Sequence, residues 1–214
     1  MTTVVVLGVH RSGTSMLSLI LQKLGVRMGA RQLKGNESGE YGEDLDFLDL
    51  NKRILAAAGG SWDVPPARKA ILDTAGEFRE EIAALVWERN GEFPIWGWKD
   101  PRTMLTAPLF HPHLEDPYYV CIFRPAKEIV ASLRRRNGDG YWSELVRYYR
   151  EHLAAFQRVE SPRSLRRVEY HDFTANQMAA WTEISKLAAW LKLDPITISA
   201  AVEVVRWRET ISAQ

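Results

Sequence analysis

A run of β-branched and apolar residues, Val4, Val5, Val6 and Leu7, ends in Gly8, passes through a polar loop, and enters an apolar helical stretch over residues 15–24 that Gly25 stops. A chain that begins strand, glycine loop, helix can adopt few architectures, because a strand that is apolar at every position needs cover on both faces. Similar short runs recur at residues 95–98, 118–123 and 167–170, with helical spacing between them. The alternation predicts an α/β fold with a parallel β-sheet covered on both faces, and the P-loop spacing of the glycine loop makes it a three-layer, P-loop-type parallel β-sheet flanked by helices. Ile71, Ala75, Phe78, Ile82 and Leu85 form one stripe at helical spacing, and Met178, Trp181, Ile184, Leu187 and Leu191 form another. Both are expected to face the core. No internal repeat and no Pro/Gly/Ser-rich linker divides the chain, so residues 1–214 are read as a single domain. The least regular segment is 27–42, followed by the acidic residues Glu43, Asp44, Asp46 and Asp49.

The loop His10, Arg11, Ser12, Gly13, Thr14, Ser15 has the setting of a phosphate cradle. Glycines let successive backbone N–H groups turn toward one anion, and the helix N-terminus adds the positive end of its dipole. A nucleotidase loop carries Lys after its second glycine. This chain has Thr14 there, and its cation, Arg11, stands three residues earlier. The alternative reading is a strand-to-helix turn capped by Thr14 or Ser15.

Composition limits the partners. Twenty-eight basic residues against 27 acidic give a net charge of +1, so nothing favours a nucleic-acid or membrane-surface partner, and a phosphate-bearing ligand must be held locally. With 46% hydrophobic and 26% charged residues, disordered and low-complexity classes drop out. The single cysteine, Cys121, can form neither an internal disulfide nor a thiolate zinc site, which points to a reducing, cytoplasmic setting. No apolar stretch approaches the roughly 18 residues of a membrane span, and the N-terminus lacks the features of a signal peptide. His111 and His113 flank Pro112 with no third ligand at metal-site spacing, so no metal is expected. Arg134, Arg135 and Arg136 are read as a solvated helix end or as a rim that attracts a polyanion. Trp62, Trp96, Trp98 and Trp142 lie beside the candidate segments and suit either an acceptor wall or the core.

The run from His10 to Ser15 resembles the 5′-phosphosulfate loop of the sulfotransferases that use 3′-phosphoadenosine 5′-phosphosulfate (PAPS), particularly the bacterial sulfotransferase-like group. A second motif agrees: the strand at 118–123 ends in Arg124, with Ser132 eight residues further on, similar to the family's 3′-phosphate motif. A guanidinium at a strand end can fork onto a phosphate while a hydroxyl about two helical turns along meets the same oxygens. Glu128 or Asp172 offers the alternative of a plain ion pair for Arg124. A third block, Trp96, Gly97, Trp98, Lys99, Asp100, Pro101 and Arg102, is similar to the Lys-x-Pro-Arg segment of bacterial members, and 36–51 and 168–173 also look like corresponding regions. His171 stands where the family often has an acid, which leaves Tyr170 as an implied adenine contact.

The resemblance implies transfer of a sulfonate group from PAPS to a hydroxyl or amine of a small-molecule or carbohydrate acceptor, without metal. His10, Arg11, Ser12, Gly13, Thr14, Ser15, Arg124, Ser132 and Tyr170 are the implied donor-binding residues. Arg11 stands at the family's usual Lys position, and Lys99 is a second cation able to neutralise the departing oxygen. Histidine, the base of the cytosolic small-molecule enzymes, is replaced by Pro101. Glu43 takes its place as expected base, its proton affinity raised by neighbouring Asp44 and Asp46, with Glu40, Asp100 and His10 behind it. The late Gly- and basic-rich segment that closes over the nucleotide has no clear counterpart near Val204, Arg206, Trp207 and Arg208. Two other readings remain open: a P-loop kinase or nucleotidase, and a noncatalytic nucleotide-binding module.

Overall fold

The computed structural model describes residues 1–29 and 42–212. In chain order the elements are β1 (Thr2–Leu7), α1 (Thr14–Lys23), β2 (Arg27–Met28), α2 (Leu45–Ala57), α3 (Arg68–Asp73), α4 (Ala75–Glu92), β3 (Ile95–Lys99), α5 (Thr103–Phe110), β4 (Tyr118–Phe123), α6 (Ala126–Asn137), α7 (Trp142–Glu160), β5 (Ser164–Glu169), α8 (Tyr170–Thr174), α9 (Gln177–Leu191) and α10 (Ile198–Ser212). Among the described residues the strands form one five-stranded sheet in the order β2-β3-β1-β4-β5, and every pairing is parallel. The fold is α/β, as the alternation of elements predicts.

β1 lies at the centre and is buried on both faces. Val5 and Leu7 join Phe47, Trp98, Tyr119 and Leu105 in one core cluster, while Val4 and Val6 join Leu17, Ile20, Val120 and Ile184 in the other. The side-chain period of two splits one apolar run between two cores. The chain leaves β1 toward β2, returns as β3 beside β1, then crosses to β4 on the other side. Carboxyl ends of strands flanking such a switch form the crevice of open α/β sheets, and the loops after β1, β3 and β4 carry the candidate residues.

Local departures from the expected pattern have plain causes. The strand expected at 167–170 is observed as β5 over Ser164–Glu169, and Tyr170 instead opens α8. β5 is an edge strand in which only Val168 is fully buried, so its pattern is masked by Arg166 and Arg167. β2 falls in the segment read as irregular, and residues 30–41 of that segment, including Asn36, Gly39, Glu40 and Tyr41, lie outside the described residues. The stripe from Ile71 is broken at Thr74 into α3 and α4; Ile71, Phe78 and Ile82 are buried, but Ala75 faces solvent. In α9, Met178 and Trp181 are exposed, at 73% and 44%, and the buried face is Ala180, Ile184, Leu187, Ala188 and Leu191. Steps of three residues fall short of a helical turn by about 60° each, so Met178 lies about 120° off the face of Ile184.

Gly97 marks the tightest approach in the sheet. A Cβ built there would lie 2.0 Å from the Val4 carbonyl oxygen. Gly97→Ala is expected to cost about 3 kcal/mol or more, read as a lower urea midpoint, because two paired backbones must separate. Gly76→Ala, which meets nothing within 4 Å on α4, should leave the midpoint unchanged or slightly raised.

Candidate functional site

Residues 8–13 turn the chain from β1 into α1 in little space. A Cβ on Gly8 would lie 2.7 Å from Ser12 Oγ, Thr14 Cγ2 and Ile122 Cγ2, and Gly13 has φ +102° with the Tyr170 ring 2.5 Å from where its Cβ would be. Arg11 also takes a positive φ, 70°, an uncommon conformation for a residue with a side chain. The Ser12 amide donates to the Val9 carbonyl at 3.0 Å, and the first bond into the helix runs from the Leu17 amide to the Gly13 carbonyl at 3.1 Å. The preceding amides of Thr14, Ser15 and Met16 are thus the helix's terminal donors, at the positive end of its dipole. Ser12 Oγ is buried with no hydrogen-bond partner in the structure. Thr14 opens the helix, and Gly13, the residue before it, supplies no capping side chain.

Arg124, just past β4, and Ser132, in α6, meet this loop. Arg11 Nε donates to Ser132 Oγ at 2.9 Å, and Arg124 donates from one terminal nitrogen to the Arg11 carbonyl at 3.3 Å. The Arg124 guanidinium lies over the Tyr170 ring, 4.5 Å from its centroid. Arg124 also makes the ion pair with Glu128 considered from the sequence, Nε to Oε2 at 2.8 Å. The Arg124 carbonyl accepts from Arg150 at 2.7 Å, which pins the strand end to α7.

Lys99, the last residue of β3, is 1% exposed and bonds to Glu43 and, at 3.3 Å, to Ser15 Oγ. Glu43 is 5% exposed and lies just before Asp44, the residue that caps α2 by accepting from the Asp46 amide, so it is not an acid of the helix's first turn. Burial raises the Glu43 carboxyl above its ordinary value, with Lys99 opposing and Asp100 adding to the rise. Asp44 and Asp46, expected from the sequence to do this, instead pair with the buried Arg89 of α4. Burial likewise lowers the Lys99 ammonium, against the pull of Glu43. One Glu43 oxygen, Oε2, has no hydrogen-bond partner and no solvent access.

Behind these groups is a buried polar network that the sequence reading did not assign. Asp100 accepts from Asn51 at 2.9 Å on Oδ2, and from the Arg102 amide and guanidinium at 3.1 and 2.9 Å on Oδ1. Asn51 is held by Thr103 at 3.1 Å and by the Thr106 hydroxyl at 2.5 Å. A polar Asn51 among Phe47, Leu50 and Ile54 on the buried face of α2 is the trace this network leaves in the sequence. Asp100 accepts three hydrogen bonds here, is fully buried and is not among the residues that line the cleft.

A cleft of about 570 Å³ joins the parts, lined by Arg11, Glu43, Arg102, Arg124, Ser132 and Tyr170 among others, with Arg135 and Arg136 on its wall. His10 and Trp62 also line it, with ring centroids 4.4 Å apart, and Trp62 stacks in turn on Trp142 at 6.2 Å. Trp96 and Trp98 belong to the core, where Trp98 stacks on Phe47 at 4.2 Å. Burial, with Arg102, Lys99, Arg136 and Arg11 around it, pushes His10 well below 6.5, so its imidazole is neutral at physiological pH. His111 lies in a 3-10 turn, is not among the residues that line the cleft, and bonds the Tyr119 hydroxyl at 2.9 Å. Among the described residues no cluster of three or more His, Cys, Asp or Glu could hold a metal, and no helix is long and apolar enough to cross a membrane. The side chains of Arg206, Trp207 and Arg208 lie outside the described set.

A model of the sulfotransferase family matches residues 3–194. No curated protein sequence matches the chain. Among solved structures, a sugar kinase from Janibacter sp. HTCC2649 is similar at 15% identity and a TM-score of 0.51, over 92% of this chain and 98% of that one, a likeness of fold alone. Retinol dehydratase, solved with androsterone and the inactive cofactor PAP, is 13% identical with a TM-score of 0.40, the match covering 95% of this chain and 64% of that one.

A buried pair such as Lys99 and Glu43 is costly to break and cheap to replace. Lys99→Met should destabilise the protein by about 3 kcal/mol in urea unfolding, leaving a buried carboxylate alone, and adding Glu43→Gln should recover most of that loss. A double variant no more stable than Lys99→Met would show that the two groups are not a coupled pair.

Proposed function

Because the chain belongs to the sulfotransferase family, we propose that its cleft takes PAPS as sulfonate donor and a hydroxyl or amine of a small-molecule or carbohydrate as acceptor. The observation that carries this is the 2.9 Å bond from Arg11 to Ser132, which ties the loop after β1 to the site after β4. Two anion-binding ends then share one cleft, and they suit a nucleoside with phosphate at both its 5′ and 3′ positions. The residues present fit such a donor: a glycine turn with no room for a side chain, free amides at a helix start, a buried Ser12 hydroxyl without partner, and Arg124 facing the cleft. When bound, the donor supplies an activated sulfonate.

Within this reading the chain's own groups divide the work. The amides of Thr14, Ser15 and Met16 and the Arg11 guanidinium hold the 5′ end, and Arg124 with Ser132 holds the 3′ phosphate. Glu43 takes the acceptor's proton as the new S–O or S–N bond forms. The S–O bond to the leaving phosphate breaks, and that oxygen keeps the electron pair. Arg11 and Lys99 neutralise the charge that grows there; Arg11 is always protonated and acts by charge alone, whereas the lowered Lys99 can also yield a proton. Burial of Glu43 suits it to the base role, since a raised carboxyl is a stronger proton acceptor than an exposed one. His10 and Trp62 would then border the acceptor.

Adenosine 3′,5′-bisphosphate should raise thermal stability well above the effect of adenosine 5′-phosphate or ATP with Mg²⁺, by about 2.7 kcal/mol at a hundredfold excess over its Kd. Equal shifts from all three ligands would exclude the two-ended donor site. Glu43→Gln should keep bisphosphate binding and lower turnover about a hundredfold or more. Activity should fall as pH drops through the Glu43 value, on a limb above the ordinary 4.5, because the base must be ionised. It should fall again at high pH, on a limb below 10.5, as Lys99 loses its proton. A single acid limb that survives in Glu43→Gln would move the base elsewhere.

A further inference from the structure

We propose that His171 is a positioning residue for the 3′-phosphate site: it holds Glu128 on the Nε side of Arg124 and so keeps the far edge of that guanidinium open for the ligand. The inference rests on the donor reading above and assigns a role that Arg124 and Ser132 cannot supply by themselves.

A carboxylate on Nε helps to orient Arg124, yet a carboxylate is also the natural competitor of a phosphate. Glu128 lies one helical turn on from the strand end and is 36% exposed, so it has the freedom to swing. A Glu facing an Arg tends to a two-bond fork across Nε and a terminal nitrogen, which would take a donor that the phosphate needs on the far edge. In this structure the fork does not form. Glu128 gives only Oε2 to Arg124 Nε, at 2.8 Å, while its Oε1 accepts from His171 Nε2 at 2.8 Å. The bond requires a proton on Nε2, in either the neutral or the charged ring.

The rest of the guanidinium is accounted for in the same way. One terminal nitrogen reaches the Arg11 carbonyl at 3.3 Å, the plane rests on the Tyr170 ring, and the other terminal nitrogen has no protein partner among the described residues. Tyr170 and His171 are consecutive at the start of α8. One short helix therefore supplies both the plate beneath Arg124 and the clasp on its counter-ion. Arg124 and Tyr170 line the cleft, and His171, 53% exposed, stands outside that lining. It acts through Glu128, without touching the donor.

Titration calorimetry or fluorescence with two nucleotides tests this, using the full chain. His171→Ala should weaken adenosine 3′,5′-bisphosphate by up to about fivefold, the upper limit for an exposed side-chain pair, and leave adenosine 5′-phosphate unchanged. In steady state the same change should appear in the donor KM with kcat preserved. His171→Gln, which keeps an N–H donor, should restore most of the affinity. Adding Glu128→Gln to His171→Ala should also restore it, because the competing charge is gone. Loss of affinity for both nucleotides alike, or a double variant as weak as His171→Ala, overturns the positioning role. If the unsubstituted protein binds the two nucleotides equally, the donor reading itself fails and this proposal with it. Normal discrimination together with an unaffected His171→Ala overturns only the role of His171.

Discussion

The structure depends on the burial of β1 from both sides. Its alternate residues belong to two separate cores, and β3 approaches it so closely that position 97 has no room for a side chain. From Val4 to Leu7 the strand is wholly apolar and buried, so the charged and hydrogen-bonding groups of the cleft begin only where it ends. There the backbone turns through Gly8 and Gly13 into α1, and its unpaired amides collect at the carboxyl edge of the sheet. The cleft is a consequence of that ending.

What surrounds the cleft is a set of buried charges, each answered by another part of the chain. Lys99 is answered by Glu43 from before α2, Arg102 by Asp100 with Asn51 behind it, and Arg89 by Asp44 and Asp46. Desolvation makes such pairs poor sources of stability but strict in geometry, because a member without its partner is expensive. Arg89 has a further effect. By taking Asp44 and Asp46 it fixes the start of α2, and so the position from which Glu43 reaches Lys99. Burial, with Asp100 adding to it, then raises Glu43, and Asp44 and Asp46 take no part.

The loop of residues 10–15 and the pair Arg124 and Ser132 were legible because backbone chemistry and chain direction write them into local sequence. Gly-rich turns after an apolar strand and an Arg at a strand end keep their spacing whatever else the chain does. Glu43 was singled out by resemblance; its pairing with Lys99, and burial as the cause of its raised proton affinity, were not legible. Asn51, Thr103 and Thr106 left only a polar residue on an apolar helix face. Tyr170 and His171 were placed at the end of a strand and prove to open α8, where they meet Arg124 and Glu128.

Sequence alone determined the α/β class and the spacing of the loop at 10–15 and of the Arg124 and Ser132 pair, because these follow from hydrophobic period and from turn chemistry within a few residues. Tertiary structure alone decided which acid meets which base. The stripe at Met178 and Trp181 turned outward for the same reason that Asp44 turned to Arg89: the face a helix buries and the partner a charge takes depend on neighbours distant in the chain. A buried charge must be compensated wherever the fold puts it. Spacing along the sequence carries no information about which distant segment will arrive to do so.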